Sequence, residues 1–317
     1  MKAIVIHGYG SPEVLKYEDY QDPVPGPGEV LVKVAASSVN PFDFKVRSGA
    51  MKDFIPLTFP AVLGIDVSGT VESVGPGVTT FAPGDKVFAI ASQAYATGCL
   101  VKATVLAMIP EGADLVEMAA LPTVTTTGGQ LASLALDGRS DATVLVTGAV
   151  GNVGRSAVYI AKSRGARIVA GVLKRQFTKA QAIGADQVVA LDDPQAVEAL
   201  EPVDAVADTV GGETADAVIK KVKSGGIFAS VLGPPSAAAS YPKVQLKPMA
   251  VTPDPVLLLE MVEALQKGAF RKWTEPKAGP DPHAPRRVPP VSAPPACRAG
   301  LAETIHESRR LERRARQ

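Results

Sequence analysis

Between residues 148 and 154 the chain reads Gly148-Ala149-Val150-Gly151-Asn152-Val153-Gly154. Small residues at this spacing let a backbone approach a pyrophosphate, whose charge is then held at the N-terminus of the following helix. The preceding run, Thr143-Val144-Leu145-Val146, is continuously apolar, as expected of a strand buried on both faces of a parallel sheet. The following run places Val153, Ala157, Ile160 and Ala161 on one helical face. Strand, glycine turn and helix in that order are the context of a dinucleotide site. An ordinary tight turn is the alternative reading.

The next strand, Arg167–Val172, bears on which dinucleotide. An NAD site places Asp or Glu about 20 residues beyond the glycine turn, where it holds the ribose 2′-hydroxyl. Here the chain reads Leu173-Lys174-Arg175-Gln176 instead. Two cations can pair with a 2′-phosphate, and arginine can do so through two parallel hydrogen bonds. NADP(H) is therefore the favoured cofactor, against a solvated Lys174–Arg175 pair that merely opens a helix.

These residues need a scaffold, and its outline is legible. Before residue 110, short strands such as Val30–Val34, Gly69–Val74 and Lys86–Ile90 alternate with Gly/Pro turns, which predicts a compact, mainly β, barrel-like domain. From about residue 122, strands at 143–146, 167–172, 187–189, 203–208 and 226–231 alternate with helical stretches. That pattern predicts a doubly wound α/β domain. A further amphipathic helix is read over 257–265.

Composition narrows the function classes. Of 317 residues, 46% are hydrophobic and 21% charged, which excludes a disordered or collagen-like chain. The two cysteines, Cys99 and Cys297, cannot build a disulfide scaffold. Met1 leads directly into the run Lys2–Ile6, without the features of a signal peptide, and no apolar run reaches the roughly 18 residues of a membrane span. A cytoplasmic protein with no membrane partner is expected. Residues 1–272 carry 24 basic and 27 acidic side chains, so nothing there favours a nucleic-acid partner. Residues 273–317 differ: nine basic and five acidic side chains, with eight of the 27 prolines.

Further motifs carry a resemblance. They include Gly10–Leu15, Gly28–Val34, Ser38-Val39-Asn40-Pro41-Phe42-Asp43, Arg47-Ser48-Gly49, Phe59–Asp66, Phe81–Val87 and Ala120-Leu121-Pro122. Together with the glycine turn, they make the chain resemble the zinc-independent, ζ-crystallin-like quinone oxidoreductases of the medium-chain dehydrogenase/reductase superfamily. The resemblance implies an α/β protein with a GroES-like β-barrel at residues 1–121 and a doubly wound Rossmann domain at 122–258. It also implies a return helix toward the barrel at 259–275 and a homodimer.

Zinc-containing relatives have a Cys near the position of Asn40 to Asp43 and a His-Glu pair after the glycine matching Gly64. This chain has neither, since Gly64 is followed by Ile65-Asp66. No metal is expected. By resemblance, Asn40 lies at the nicotinamide end of the cleft, with an Asn-Pro turn as the alternative. Thr127 matches a threonine near the nicotinamide, in a register left open by Thr125 and Thr126. Val231-Leu232-Gly233 matches the backbone lining the cofactor. Asp43 is read as a barrel stabiliser and Asp208 as a turn stabiliser at least as readily as a catalytic group.

The family pattern is lost after Gly268-Ala269-Phe270, and residues 276–317 form an atypical Pro/Arg-rich tail. A shifted reading frame is the expectation, with a basic tail for an acidic partner as the alternative. On the frame-shift reading the tail contributes nothing to the cofactor site. The activity implied is an NADPH-dependent, zinc-free hydride transfer to a small electrophile, a quinone or similar conjugated carbonyl compound. An enone or enoyl reductase and a non-catalytic nucleotide-binding protein are the alternatives.

Overall fold

The computed structural model describes residues 1–270; the tail at 276–317 lies outside the described residues. The described chain divides into a first unit, Met1–Thr123, and a second that begins at Val124.

The first unit is built from antiparallel strands. Five of them lie in the spatial order Gly98–Lys102, Glu29–Ala36, Asp66–Val74, Lys86–Ile90 and Ala107–Met108. Val30 and Val32, Val67 and Val71, and Val87 and Ala89 are buried in one cluster, as the two-residue period of a strand requires. A second sheet sets Lys2–Ile6 between Lys16–Asp19 and Ala61–Val62. One helix, Pro41–Arg47, was not expected from the sequence. It starts where Pro41 needs no N–H partner and where Asp43 in the first turn accepts the Asn40 N–H at 2.7 Å.

The second unit holds a six-stranded parallel sheet. Its spatial order is Gln187–Ala190, Arg167–Val172, Thr143–Thr147, Val203–Asp208, Val222–Ser230 and Gln245–Pro248. Numbered along the chain this is 3-2-1-4-5-6, the order of a Rossmann sheet, with its switch point between the first and fourth strands.

Both faces of this sheet are covered. Val144, Val146, Ile168, Ala170, Ala205 and Ala207 enter one core with Leu131, Ile160 and Met261. The alternate residues Leu145, Val169, Val206 and Phe228 enter another with Val218 and Ile219. This is why these strands read as unbroken apolar runs. The last described helix spans Pro255–Gln266, over the amphipathic stretch read at 257–265; the segment read as a return helix, 259–275, runs past the described residues. The helix starts at Pro255 because Asp254 accepts the Leu257 N–H at 2.9 Å and Pro255 fills the first turn. Leu257, Met261 and Ala264 on this helix join the core of the second unit.

Candidate functional site

In the second unit the glycine turn leaves the strand Thr143–Thr147 at the sheet's switch point. Gly148 has φ +63°, a left-handed conformation that favours glycine, and its carbonyl accepts the Gly151 N–H at 2.8 Å. Gly151 then caps the helix Asn152–Ser163. The first intrahelical bond runs from Arg155 N–H to Gly151 O at 2.9 Å, so the N–H groups of Asn152, Val153 and Gly154 precede the ladder. Such groups attract an anion.

The glycines differ in what they answer to. A Cβ on Gly154 would stand 2.2 Å from Gly148 O and 2.8 Å from its carbonyl carbon, so close strand–helix packing demands glycine there. A Cβ on Gly151 would meet only Gly148 O, at 3.2 Å. Nothing in the protein requires glycine at 151, and a methyl group would occupy the open space over the helix N-terminus. A pyrophosphate held by the helix N-terminus would need that space. Val150 is buried in the core, and its carbonyl accepts from Arg155 Nε at 2.9 Å.

Neighbouring strand ends complete the rim. Asp208, fully buried, accepts from Thr147 Oγ1 at 2.7 Å and Ser230 Oγ at 2.8 Å, and also from the N–H groups of Val210 and Gly211. It therefore locks the ends of three strands and the turn after its own. This geometry matches the turn-stabilising reading of Asp208. The Val231 N–H bonds to Asp208 O at 3.2 Å and the Leu232 N–H to Ser230 Oγ at 3.0 Å. Leu232 is exposed, and Gly233 turns the chain with φ +91°. The rim is contiguous: a Cβ on Gly148 would touch Thr209, and one on Gly211 would touch Leu232.

Lys174 and Arg175 are exposed in a single helical turn, Lys174–Gln176, after the strand Arg167–Val172. Neither makes an ion pair among the described residues. Sequence reasoning missed Asp192, whose carboxylate accepts the Lys174 N–H at 2.8 Å from the end of the adjoining strand. Thr125, Thr126 and Thr127 lie buried in the helix Pro122–Leu136. Thr126 Oγ1 is sealed from solvent with no hydrogen-bond partner among the described residues, which puts it out of a ligand's reach. Thr127 keeps 6% of its surface exposed. The helix is held against Asn152–Ser163 by close contact at Gly128, where a Cβ would stand 2.4 Å from Val153 O.

Asn40 belongs to a separate cluster in the first unit. Its Nδ2 donates to Asp66 Oδ2 at 2.8 Å and to Ser38 Oγ at 3.1 Å. Asp66 also accepts from Ser38 Oγ, from Thr123 N–H at 2.8 Å and from Thr123 Oγ1 at 2.7 Å. Burial raises the Asp66 carboxyl above the ordinary range against the pull of these donors. Burial likewise pushes Asp43 up to about 7; the Asn40 N–H opposes the rise and the Asp66 charge adds to it. Tyr95 donates to Ser38 O at 3.2 Å, and its phenol is raised by burial and then by the nearby Asp43.

Of this cluster, Asn40 was singled out from the sequence as a site residue, and Asp43 was read as structural. An acid inside the apolar run Ala61–Val71 was the available signal for Asp66. Cys99 is buried, and burial pushes its thiol up to about 12, far from a reactive thiolate. Among the described residues no three His, Cys, Asp or Glu side chains gather as a metal-ligand set. None of the described helices is long and apolar enough to cross a membrane.

Comparison with known proteins bears on the family and the fold. Residues 26–131 match the alcohol dehydrogenase GroES-like domain family, and residues 152–251 match the zinc-binding dehydrogenase family. The chain is 31% identical over 299 residues to a chloroplast envelope quinone oxidoreductase homolog of Arabidopsis thaliana, covering 87% of this chain and 91% of the relative. It is 32% identical over 260 residues to an acryloyl-coenzyme A reductase of Metallosphaera sedula, covering 71% and 75%. Among solved structures, a quinone oxidoreductase from Coxiella burnetii superposes with a TM-score of 0.80 at 26% identity, covering 99% of this chain and 96% of that one. A mycobacterial protein complexed with NADPH superposes at 0.75 and 26%, covering 99% and 97%. The two units are thus a GroES-like domain and a Rossmann-type domain.

Proposed function

The chain belongs to the quinone oxidoreductase family of the medium-chain dehydrogenases/reductases, and from that premise we propose that it is an NADPH-dependent, metal-free reductase of quinones and similar conjugated carbonyl compounds. The observation that carries the cofactor half of the reading is the rim of the second unit. There the glycine turn and the Lys174–Arg175 turn follow adjacent strands, paired through Thr147 and Gly171, and Gly151 leaves room that no protein atom fills.

When bound, the nicotinamide supplies a hydride; the chain supplies position and charge. The N–H groups at Asn152–Gly154 and the helix dipole hold the pyrophosphate. Lys174 and Arg175 take the 2′-phosphate, Arg175 through a fork of donors that matches its oxygens. Val231–Gly233 offers backbone beside the ring, with Asp208 keeping that backbone in place. Thr127 and Asn40 are the polar side chains assigned to the reacting end.

The metal-free half rests on side-chain chemistry. The segments at 40–43 and 64–66, where zinc-containing relatives carry ligands, hold Asn-Pro-Phe-Asp and Gly-Ile-Asp. Without a Lewis acid to polarise an alcohol oxygen, a substrate that is already electrophilic suits the site best. The similarity to acryloyl-coenzyme A reductase supports enoyl substrates as the second reading. A panel of quinones, enones and enoyl thioesters, each assayed by NADPH consumption, separates the two. The proposal expects quinone turnover to exceed the others in kcat/KM; dominance of the enoyl thioesters would replace it with the second reading.

A further inference from the structure

Asp66 opens the strand Asp66–Val74 and is fully buried. Its oxygens receive four donors: Thr123 N–H and Thr123 Oγ1 on Oδ1, and Asn40 Nδ2 and Ser38 Oγ on Oδ2. A carboxylate has about four acceptor positions, so all are used. Three of the donors have alternatives within the side chain or are fixed backbone, but the Asn40 amide has two distinct ends. With donors on both of its oxygens, the Asp66 carboxyl acts here as an acceptor, so it selects the nitrogen end. Ser38 repeats the selection: its proton goes to Asp66, which leaves its oxygen to accept from Nδ2 at 3.1 Å. Nδ2 thus has both of these acceptors on its inward side. The Asn40 N–H is tied separately, to Asp43 Oδ2 at 2.7 Å, so the residue is held at both ends.

We infer that Asp66 is a positioning residue that fixes the Asn40 amide with its nitrogen inward, so that the end of the amide turned toward a bound molecule is the acceptor Oδ1. The inference deepens the proposed function and rests on its placement of Asn40 at the reacting end. Its chemical consequence is a restriction. Asn40 takes an N–H or O–H of a ligand, such as a primary carboxamide. With its nitrogen turned inward onto Asp66 and Ser38, it is poorly placed to donate to the carbonyl oxygen of a quinone or enone, so it is not assigned to stabilising the reduced oxygen.

Asp66→Asn tests this with little change in volume. An asparagine at 66 can turn its NH2 toward residue 40, which lets the Asn40 amide invert and place its own NH2 outward. The first readout needs no turnover. In the 1H–15N spectrum of the full chain, the Asn40 side-chain amide is identified by its loss in Asn40→Asp. It should exchange with solvent at least tenfold more slowly than exposed asparagine amides in the parent, and lose that protection in Asp66→Asn. An Asn40 amide that exchanges like exposed ones in the parent overturns the orientation, whether or not the chain reduces quinones.

The second readout is a cycle with Asn40→Ala. If Asp66 acts through Asn40, Asp66→Asn lowers kcat/KM for NADPH-dependent quinone reduction about tenfold in the parent and less than twofold in Asn40→Ala. Equal losses in both backgrounds assign Asp66 to support of the fold and overturn the inference. Should Asp66→Asn fail to fold, Ser38→Ala removes one of the two inward acceptors and carries the same exchange measurement. Faster exchange supports the inference, and unchanged exchange opposes it. Absence of any quinone turnover in the parent refutes the proposed function alone, leaving the exchange result to decide the orientation.

Discussion

Gly151 and Gly154 lie three residues apart, yet their replacement by alanine should have opposite signatures. At Gly154 the added Cβ would stand 2.2 Å from Gly148 O and 2.9 Å from Ala149 Cα. An ordinary contact needs about 1 Å more, and both sides are backbone, so strand and helix must separate. Overpacking costs about 1–3 kcal/mol, and a clash with backbone on both sides belongs in the upper part of that range, about 2–3 kcal/mol, partly offset by the roughly 1 kcal/mol that alanine gains over glycine within a helix. A net loss of about 1–2 kcal/mol corresponds to a Tm lowered by roughly 2–8 °C for a domain of this size.

At Gly151 the conformation, φ −71° and ψ 169°, is open to any residue, and the only contact is at 3.2 Å. Stability should stay within about 0.5 kcal/mol of the parent. The methyl group would nevertheless sit over the helix N-terminus, where a pyrophosphate is proposed to lie. NADPH affinity should fall at least about tenfold, or roughly 1.4 kcal/mol. Thermal melts and NADPH fluorescence titrations of both variants in one buffer read both quantities. Parental affinity in Gly151→Ala would remove the pyrophosphate from this turn. A parental Tm in Gly154→Ala would refute the packing argument.

Replacing Lys174 and Arg175 together by alanine should weaken NADPH by about 1–3 kcal/mol, roughly 5- to 150-fold, and leave NADH nearly unchanged, as titration of both cofactors will show. Asp192→Asn, which removes a negative charge beside the same turn, should shift the NADPH/NADH affinity ratio in favour of NADPH; a fall in that ratio would contradict the cationic assignment. Asp43, raised by burial to about 7 from an unfolded value near 4, binds its proton more readily in the folded chain. Its contribution to stability is therefore present at low pH and lost as pH rises through about 4 to 7, by at most about 1.4 kcal/mol per pH unit. Urea denaturation across that window should show the decline, and Asp43→Asn should flatten it; a stability that climbs over the window refutes the sign.

The parallel sheet was legible because both its faces are buried. Val144, Leu145 and Val146 read as one apolar run since alternate residues enter two different cores. The strand Gln245–Pro248 gave no such run, being an exposed sheet edge that ends in proline. The helix Pro41–Arg47 was hidden because Asn40-Pro41 also reads as a turn, and seven residues show little periodicity. The glycine turn was visible as a local pattern, but the distinct duties of Gly151 and Gly154 depend on where Gly148 O lies. Asp66 and Thr123 are 57 residues apart, and Lys174 and Asp192 are 18 apart. Such pairs meet only through sheet register and helix placement, which no local motif encodes.

The most direct test is product formation by the full chain after chelation has stripped it of metal ions. Incubated with NADPH and a quinone, it should form quinol in a one-to-one ratio with NADPH consumed, at a rate unchanged by chelation and higher than with NADH. Quinol formation that stops on chelation and returns with zinc, or no quinol at all from a chain that binds NADPH, would contradict the account.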